Sequence, residues 1–167
     1  MKYEVRRARS DDAEVLEKFM QSLIAENLPV LYTKAASPTL DEIITFISAH
    51  SDPNVSLLIV VIDEGRLIGM LDADIHRNSQ RSHCASFGMS VLNEYRRHGV
   101  GSVLLAELFL WAKKHQLNRI ELEVFSNNLA AIGLYKKMGF WVEGVKKEAV
   151  RVGAGYVDLV QMVRRVA

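Results

Sequence analysis

The chain has 167 residues, of which 49% are hydrophobic and 25% are charged, as in an average globular protein. Its 21 basic and 20 acidic residues give a formal net charge of +1, which argues against a general nucleic-acid binder because such domains are usually strongly basic. The single cysteine, Cys84, excludes an internal disulfide and a cysteine-rich zinc module.

Hydrophobic periodicity predicts short strands and amphipathic helices along the chain. We predict, in chain order, a strand over 3–6, helices over 10–27 and 39–52, strands over 56–62, 67–75 and 83–92, a helix over 102–115, a strand over 119–125, a helix over 128–138, and strands over 140–150 and 156–166. The order β-α-α-β-β-β-α-β-α-β-β predicts a mixed α/β fold with an antiparallel hairpin at its centre. We expect residues 1–167 to form a single domain.

Local signals mark the starts of the first two helices and the central hairpin. Asp11 with Glu14 resembles a capping box, and Thr39 with Glu42 forms a cleaner one, so each pair indicates a helix start. Residues 63–66, Asp-Glu-Gly-Arg, predict a tight hairpin turn after a buried, β-branched strand.

Glycines and apolar residues predict further features in the second half of the chain. Gly88 lies inside a predicted strand, which indicates a β-bulge or a close backbone approach. The helix over 102–115 is apolar on nearly every side and should be largely buried. Gly139 occupies the position that ends the helix over 128–138, and residues 151–155 form the loop of the last hairpin.

The most informative segment joins a strand to the predicted buried helix and reads Arg96-Arg97-His98-Gly99-Val100-Gly101-Ser102. Gly99 and Gly101 let backbone N–H groups turn inward without a Cβ in the way, and the positive end of the helix attracts anions. Arg96 and Arg97 add guanidinium groups that suit phosphate. A phosphate or pyrophosphate ligand is expected, and the alternative is a glycine-capped turn with two solvated arginines.

Two common nucleotide-binding motifs fit this turn poorly. The P-loop has four residues between its glycines, followed by Lys and Ser or Thr, and this turn has neither feature. A dinucleotide-binding fingerprint has a third glycine where this chain has Leu104, although Glu121 does lie about 20 residues beyond the turn. Three consecutive predicted strands also disagree with the strand–helix alternation of that fold. A dinucleotide-binding domain is therefore a lesser hypothesis.

Arg96-x-x-Gly99-x-Gly101 resembles the acyl-CoA pyrophosphate signature of the GCN5-related N-acetyltransferase (GNAT) superfamily. A second block over residues 128–140, Asn-Leu-Ala-Ala-Ile-Gly-Leu-Tyr-Lys-Lys-Met-Gly-Phe, is similar to a later motif of that family. One predicted helix and one predicted strand separate the two blocks, as in the family. The resemblance covers essentially the whole chain and implies the GNAT fold, a mixed central β-sheet with helices on both faces and a splayed acyl-CoA cleft.

The resemblance implies acetyl-CoA as the acyl donor substrate. In the family, the pantetheine arm enters between two splayed strands and pairs with backbone groups, which here would be those of Met89 and Val91. Asn128 would help to hold the same arm. The backbone of the glycine turn would hold the pyrophosphate through Arg96, Arg97, His98, Gly99, Val100, Gly101 and Ser102.

The resemblance also implies acyl transfer by direct attack of an amine, which must first lose a proton because alkylamines have a pKa of about 10. Tyr135 matches the general acid of the family, although spacing alone favours a core aromatic. Glu123 is a candidate base, and a structural carboxylate is the alternative. Asp72 and Asp74 share another suitable position, and ordered water without a fixed base is a further alternative.

Acceptor choice in the family rests mostly on the first two helices, their connecting loop and the last hairpin, here 26–39 and 145–156. Glu26 could pair with an ammonium, and Tyr32 could wall a small pocket. Three cations of the last hairpin could meet an acceptor carboxylate or could simply be solvated: Lys146, Lys147 and Arg151. Residues 143–162 resemble a branch that includes bacterial enzymes acetylating amino acids or other small amines. We expect a small-molecule amine as acceptor, with a protein or peptide amine, or a non-catalytic acyl-CoA-binding module, as alternatives.

The remaining expectations concern metals, location and assembly. His76 and His83 lie near Cys84 in the sequence, but their spacing suits no metal site, so no metal is expected, and Cys84 should be a small buried side chain. The first residues lead into no apolar run, and the longest apolar stretch, 55–62, is far shorter than the roughly 20 residues that span a bilayer. We therefore expect a cytoplasmic protein without membrane contact. A homodimer is left open, because dimers are frequent in the family but no exposed seam is visible in the sequence.

Overall fold

The computed structural model describes residues 3–27 and 37–166. Within these ranges, strands and helices follow each other in the predicted order. The strands are β1 Glu4–Arg7, β2 Ser56–Asp63, β3 Arg66–Ile75, β4 Cys84–Val91, β5 Arg119–Phe125, β6 Trp141–Val152 and β7 Gly155–Arg165. The helices are α1 Ala13–Ala25, α2 Leu40–Ala49, α3 Val100–Lys114 and α4 Leu129–Lys137.

The strands form one sheet in the order β1-β2-β3-β4-β5-β7-β6. Neighbouring strands are antiparallel except β4 and β5, which are parallel and pair only from Cys84 to Ser86. A parallel pair needs a crossover, since a tight turn can only reverse the chain, and α3 provides it. Beyond Ser86 the two strands separate, and the sheet opens at its middle.

Helices cover both faces of the sheet and bury two hydrophobic clusters. On one face, α3 and α4 pack on the sheet around fully buried residues such as Leu104 and Leu108. On the other face, α1 and α2 bury Leu16 and Phe19 against β2 and β3. The continuous apolar run of β2 is buried, as predicted for a strand covered on both faces. None of the helices in the described ranges has the length and apolar character that a membrane crossing needs.

The two predicted hairpin turns have different outcomes. The central turn is confirmed, because Glu64 and Gly65 have φ values of +47° and +81°, and two left-handed residues in succession match the twist of the flanking strands. The last hairpin is tighter than predicted. Val152 pairs with Gly155, so two residues make its turn and most of the loop predicted over 151–155 belongs to the strands.

The start of α3 is displaced from its predicted position, whereas the start of α2 is confirmed. Gly99 has a φ of +88° and already caps α3, so the helix begins at Val100, two residues before the predicted start. Val100 is buried against β3, where a Cβ on Gly69 would lie 2.8 Å from its Cγ1. At α2, the N–H of Thr39 donates to Glu42 at 2.8 Å and the N–H of Glu42 donates to Thr39 at 3.3 Å, as a capping box requires.

An ion pair, rather than the predicted capping box, holds the start of α1. Asp12 accepts a hydrogen bond from the N–H of Arg9 at 2.7 Å and two from the guanidinium of Arg6 at 2.6 and 2.7 Å. The hydrogen bonds from Arg6 hold the pKa of Asp12 below its usual range. The box predicted between Asp11 and Glu14 is therefore wrong, because the neighbouring carboxylate makes the capping contact.

Two packing expectations also need correction. The register between β3 and β4 is unbroken through Gly88, so this glycine does not mark a bulge. The close neighbour is also a side chain rather than a backbone, because a Cβ at residue 88 would lie 3.0 Å from Oδ1 of Asp72. On α3, Leu110 is 63% exposed, so the prediction of burial on nearly every side is wrong at that position.

Candidate functional site

A cleft of about 1290 Å³ opens where β4 and β5 separate. Helices α1 and α2 wall it on one side of the sheet, and α4 walls it on the other. The turn between β4 and α3 closes one end. The cleft therefore runs through the sheet, and groups on both faces can reach a molecule held in the gap.

The separated part of β4 presents backbone groups to this gap. The N–H of Leu92 donates to the carbonyl of Ile68 in β3 at 3.0 Å, and hydrogen-bonding direction alternates along an antiparallel strand. The N–H and C=O groups of Met89 and Val91 therefore point away from β3, toward the side where pairing with β5 has ended. The carbonyl of Val91 already accepts a hydrogen bond from Nε of Arg96 at 2.9 Å.

The glycine turn has the backbone of an anion-binding loop. Arg97 and Gly99 both have left-handed φ values, +63° and +88°, which brings successive N–H groups to one side. The first N–H groups of α3, which have no partner within a helix, follow directly. Ser102 lines the cleft with Arg97 and Gly99, whereas the side chains of His98 and Val100 are exposed and buried, respectively, outside it.

Gly101 lies within α3 and has a packing role that the sequence did not reveal. A Cβ at this position would lie 2.8 Å from Cδ2 of Leu134 in α4 and 3.5 Å from Cε of Met89. The glycine thus allows α3 and α4 to approach each other beside the cleft. Any side chain here would force the side chain of Leu134, or α4 itself, to move.

The side chain of Arg96 is held by neighbouring groups. Its guanidinium pairs with Glu26 at 2.6 Å and donates to Oδ1 of Asn93 at 3.3 Å, in addition to its bond to Val91. Glu26, at the end of α1, also accepts a hydrogen bond from the N–H of Asn93 at 2.7 Å. The carboxylate considered for an acceptor ammonium is therefore engaged with the turn. The backbone N–H of Arg96 also donates, to the carbonyl of Asn93 at 3.1 Å, so backbone donors for a phosphate would come from Arg97 onward.

Tyr135 and Asn128 both line the cleft from α4. The ring of Tyr135 makes edge-on contacts with Phe87 and Phe140, at centroid distances of 5.9 and 5.7 Å, and burial raises the pKa of its hydroxyl to about 12. Asn128 caps α4, because its Oδ1 accepts a hydrogen bond from the N–H of Ala131 at 3.2 Å. The core and cleft interpretations of Tyr135 are thus compatible.

Glu123 reaches the cleft from β5 but has a fixed partner. Leu122 and Val124 belong to the cluster under α3, so Glu123 points to the α1–α2 side. It forms an ion pair with Lys146 of β6 and accepts a hydrogen bond from Nε2 of Gln161 at 3.3 Å. The structure therefore gives Glu123 the contacts of a structural carboxylate together with access to the cleft.

Asp72 lines the same side of the cleft, and its neighbour Asp74 does not. Leu71 and Ala73 belong to the α3 cluster, so Asp72 between them faces α1 and α2. Burial raises the pKa of Asp72 to about 6. Asp74 is largely exposed, and its Oδ2 lies 3.5 Å from Nε2 of His50, a buried residue at the end of α2 that no sequence pattern indicated.

One of the two histidines considered as metal ligands, His76, has other contacts. Nε2 of His76 lies 2.9 Å from Oε1 of Glu121, a carboxylate that also pairs with Arg119 at 2.9 Å. Cys84 is buried, as predicted. Across residues 3–27 and 37–166, no three His, Cys, Asp or Glu side chains are grouped closely enough to hold a metal ion.

The residues predicted to choose the acceptor are only partly described. Tyr32 lies outside the described residues. In the last hairpin, each predicted cation contacts a neighbouring side chain: Lys146 pairs with Glu123, Lys147 pairs with Asp158 at 2.8 Å, and the guanidinium of Arg151 lies 5.6 Å from the ring centroid of Tyr156. These contacts favour a surface network over a carboxylate-binding site.

Comparisons with known proteins agree with this geometry. Residues 17–140 match the model of the acetyltransferase (GNAT) family. The chain is 40% identical over 114 residues to the L-amino acid N-acetyltransferase AaaT of Escherichia coli (strain K12), covering 67% of this chain and 69% of that protein. The fold matches a GNAT-family acetyltransferase from Streptococcus pneumoniae with a TM-score of 0.90 at 21% identity, covering 99% of both chains. It also matches YncA from Salmonella typhimurium, solved with its cofactor acetyl-CoA, with a TM-score of 0.87 at 16% identity, covering 100% of this chain and 95% of that one.

Proposed function

Because this chain belongs to the GNAT family and is an N-acetyltransferase, we propose that it transfers the acetyl group of acetyl-CoA to the primary amine of a small molecule. A free amino acid is the first candidate acceptor, since the E. coli relative is named an L-amino acid N-acetyltransferase. The family match and a single sheet that runs from β1 to β6 support one catalytic domain over residues 1–167.

The observation that carries this proposal is the gap between β4 and β5. The backbone groups of Met89 and Val91 face that gap as those of an edge strand do. An extended chain of amides, such as the pantetheine arm of acetyl-CoA, can bond there as an added strand. Asn128 lies on the opposite wall and would contact the same arm.

The turn that follows β4 supports a pyrophosphate at one end of this arm. The segment from Arg97 to Ser102 includes two left-handed residues and the start of α3, and its backbone N–H groups together offer several donors to an anion. The exposed guanidinium of Arg97 adds a positive charge at the cleft. We assign the donor phosphates to this turn.

The acetyl group would then lie between the two faces of the sheet. When the neutral amine attacks the thioester carbon, the carbonyl oxygen becomes an oxyanion, which a backbone N–H of β4 can stabilise. The C–S bond breaks as the intermediate collapses, and the thiolate takes a proton from Tyr135. The phenolate recovers a proton from the new amide nitrogen.

The walls of the cleft on the α1–α2 side support a small acceptor with an apolar body. Half-buried Met20, Ile24 and Phe46 line this part, together with buried Met70. Burial of such side chains against an apolar group contributes roughly 25 cal/mol per Å². The ammonium or amine group of the acceptor would point toward the gap, where the carboxylates of Asp72 and Glu123 line the cleft.

An acceptor panel tests the proposal. Purified protein and acetyl-CoA are incubated with amino acids, monoamines, polyamines and short peptides, while thiol release is followed and the products are identified by mass spectrometry. We expect an N-acetylated amino acid or other small amine. If only the peptides are acetylated, the acceptor is a peptide amine and not a small molecule. Thiol release without any acetylated amine would contradict the proposal.

A further inference from the structure

Asp72 lies at the point where the sheet opens. It is opposite Gly88 in the β3–β4 register, and its Oδ1 lies 3.0 Å from the position that a Cβ on residue 88 would occupy. Because residue 88 is a glycine, no side chain separates this carboxylate from the gap. Asp72 and Tyr135 thus line the cleft from opposite faces of the sheet.

Within residues 3–27 and 37–166, Asp72 has no lysine or arginine partner, unlike Glu123 and Asp158. Glu123 pairs with Lys146, and Asp158 pairs with Lys147. Among the residues that the structure describes, no Lys or Arg nitrogen lies within 4.0 Å of Asp72. Asp72 is half-buried, and a partly desolvated carboxylate is costly without a cation beside it, so an acceptor ammonium entering the cleft would supply a favourable charge.

A histidine and a second aspartate lie next to Asp72. Nδ1 of His50 lies 2.8 Å from the carbonyl of Phe46, which can only accept, so this nitrogen carries a hydrogen. Nε2 of His50 is buried without a hydrogen-bond partner and lies 3.5 Å from Oδ2 of Asp74. Nε2 of His50 therefore faces Asp74, and His50 acts electrostatically on Asp72.

We propose that Asp72 is the base that takes the proton from the acceptor ammonium, and that His50 and Asp74 set, with opposite signs, the pH at which it does so. This inference rests on the proposed function. The N–H bond of the ammonium breaks, its proton passes to a carboxylate oxygen of Asp72, and the freed electron pair forms the bond to the thioester carbon. After the product leaves, Asp72 returns the proton to water.

The electrostatics of the site support this assignment. Burial raises the pKa of Asp72 to about 6, the positive charge of His50 opposes that rise, and the negative charge of Asp74 adds to it. Two further carboxylates line the same cleft, Glu42 on α2 and Glu123 on β5. Asp72 is therefore ionised above about pH 6, and turnover should fall as the pH drops through this value.

The first test replaces the base without changing its shape. We expect Asp72→Asn to lower kcat by roughly 10²- to 10³-fold, as for loss of a general base, with nearly unchanged acetyl-CoA affinity and melting temperature. Gly88→Ala, which crowds the carboxylate, should lower kcat in the same direction. Asp11→Asn, at an exposed site before α1, is the matched control and should keep the wild-type rate.

The second test moves the pH profile in both directions. Asp74→Asn removes a negative charge and should shift the acid limb of kcat/KM to lower pH, whereas His50→Gln removes a positive charge and should shift it to higher pH. Asp74 is largely exposed, so its variant should fold even if the His50 variant does not. Unchanged midpoints in both variants would overturn the role of this pair.

The failure of this inference can be told apart from that of the proposed function. A wild-type enzyme that acetylates amines while Asp72→Asn keeps its rate and its pH profile would overturn the inference alone. Loss of turnover on Glu123→Gln, with Asp72→Asn active, would assign the base to Glu123. A wild type that acetylates no amine would overturn both proposals.

Discussion

At the scale of single residues, Tyr135 shows how packing shapes the group that we propose as the general acid. Phe87 and Phe140 contact its ring and fix its position in α4 against the sheet. The same burial raises the pKa of its hydroxyl to about 12, so that the proton stays in place throughout the neutral range. A hydroxyl that is held and protonated in this way is suited to give a proton to a leaving thiolate.

Replacement of the hydroxyl alone tests this role. Tyr135→Phe keeps the ring contacts, and we expect kcat to fall by about 10²-fold because the thiolate loses its proton donor. Acetyl-CoA affinity, measured by calorimetry, should be nearly unchanged. A wild-type kcat across the whole pH profile would show that another group supplies the proton.

Glu26 is the second residue whose contacts lead to a prediction. Its carboxylate joins the end of α1 to the turn through Arg96 and the N–H of Asn93. We expect Glu26→Gln to loosen the turn and to raise the KM for acetyl-CoA by about 10-fold, since a hydrogen bond to a charged group contributes roughly 1.5–3 kcal/mol. The kcat at saturating donor should change much less.

Glu94 offers a matched control for this experiment. It lies in the same segment and pairs with Arg66 at 2.6 Å, but both side chains are more than half exposed. An ion pair of this kind contributes little, so Glu94→Gln should leave the KM for acetyl-CoA unchanged. Equal effects of the two variants would mean that overall charge, and not the link from Glu26 to the turn, controls donor affinity.

At the scale of elements, the contact between α3 and α4 fixes the geometry of the cleft. Gly99 and Gly101 serve this contact in different ways. Gly99 has a left-handed φ and open space around it, whereas Gly101 has ordinary helical geometry and Leu134 directly above it. Substitution should therefore destabilise the protein through backbone strain at the first position and through crowding at the second.

A rescue experiment separates these two mechanisms. Gly101→Ala should lower the free energy of unfolding by roughly 1–3 kcal/mol through overpacking, and Leu134→Ala in the same chain should restore part of that loss. Gly99→Ala should cost about 1–2 kcal/mol through its left-handed backbone, with no rescue by Leu134→Ala. Chemical denaturation of the four variants measures both effects. If Leu134→Ala restored stability equally in the Gly99→Ala and Gly101→Ala variants, backbone strain and crowding would not be separate causes.

At the scale of the whole molecule, the sheet order creates the site. Every neighbouring pair of strands is antiparallel except β4 and β5, which are parallel because the α3 crossover connects them. Pairing of these two strands ends at Ser86, and a ligand that bonds to both sides of the gap would complete the sheet. Ligand binding should therefore stabilise the entire fold.

Thermal unfolding measures this coupling. At a concentration about 100 times its Kd, acetyl-CoA adds roughly 2.7 kcal/mol to the free energy of unfolding, which corresponds to a rise in Tm of about 5–10 °C for a chain of this size. NAD at the same concentration should give no rise. A shift with NAD and none with acetyl-CoA would favour the dinucleotide-binding hypothesis.

The sequence alone determined the order of the elements, the fold class and the positions of two motifs. These features depend on residues that are close together in the sequence. The signals were hydrophobic periodicity, the capping pair Thr39 and Glu42, and the glycine spacing of the turn. Most errors were local displacements. The start of α3 moved by two residues because Val100 packs on β3, a contact that periodicity does not encode.

Tertiary structure decided which side chains meet in the cleft. Glu26 and Arg96 are 70 residues apart in sequence, and only the packing of α1 on the sheet brings them together. In the same way, the sequence made Glu123 the leading candidate base and Asp72 an alternative, whereas the structure pairs Glu123 with Lys146 and places Asp72 beside the gap next to Gly88. A carboxylate takes its chemical character from burial and from nearby charges, and both are set by contacts between distant parts of the chain.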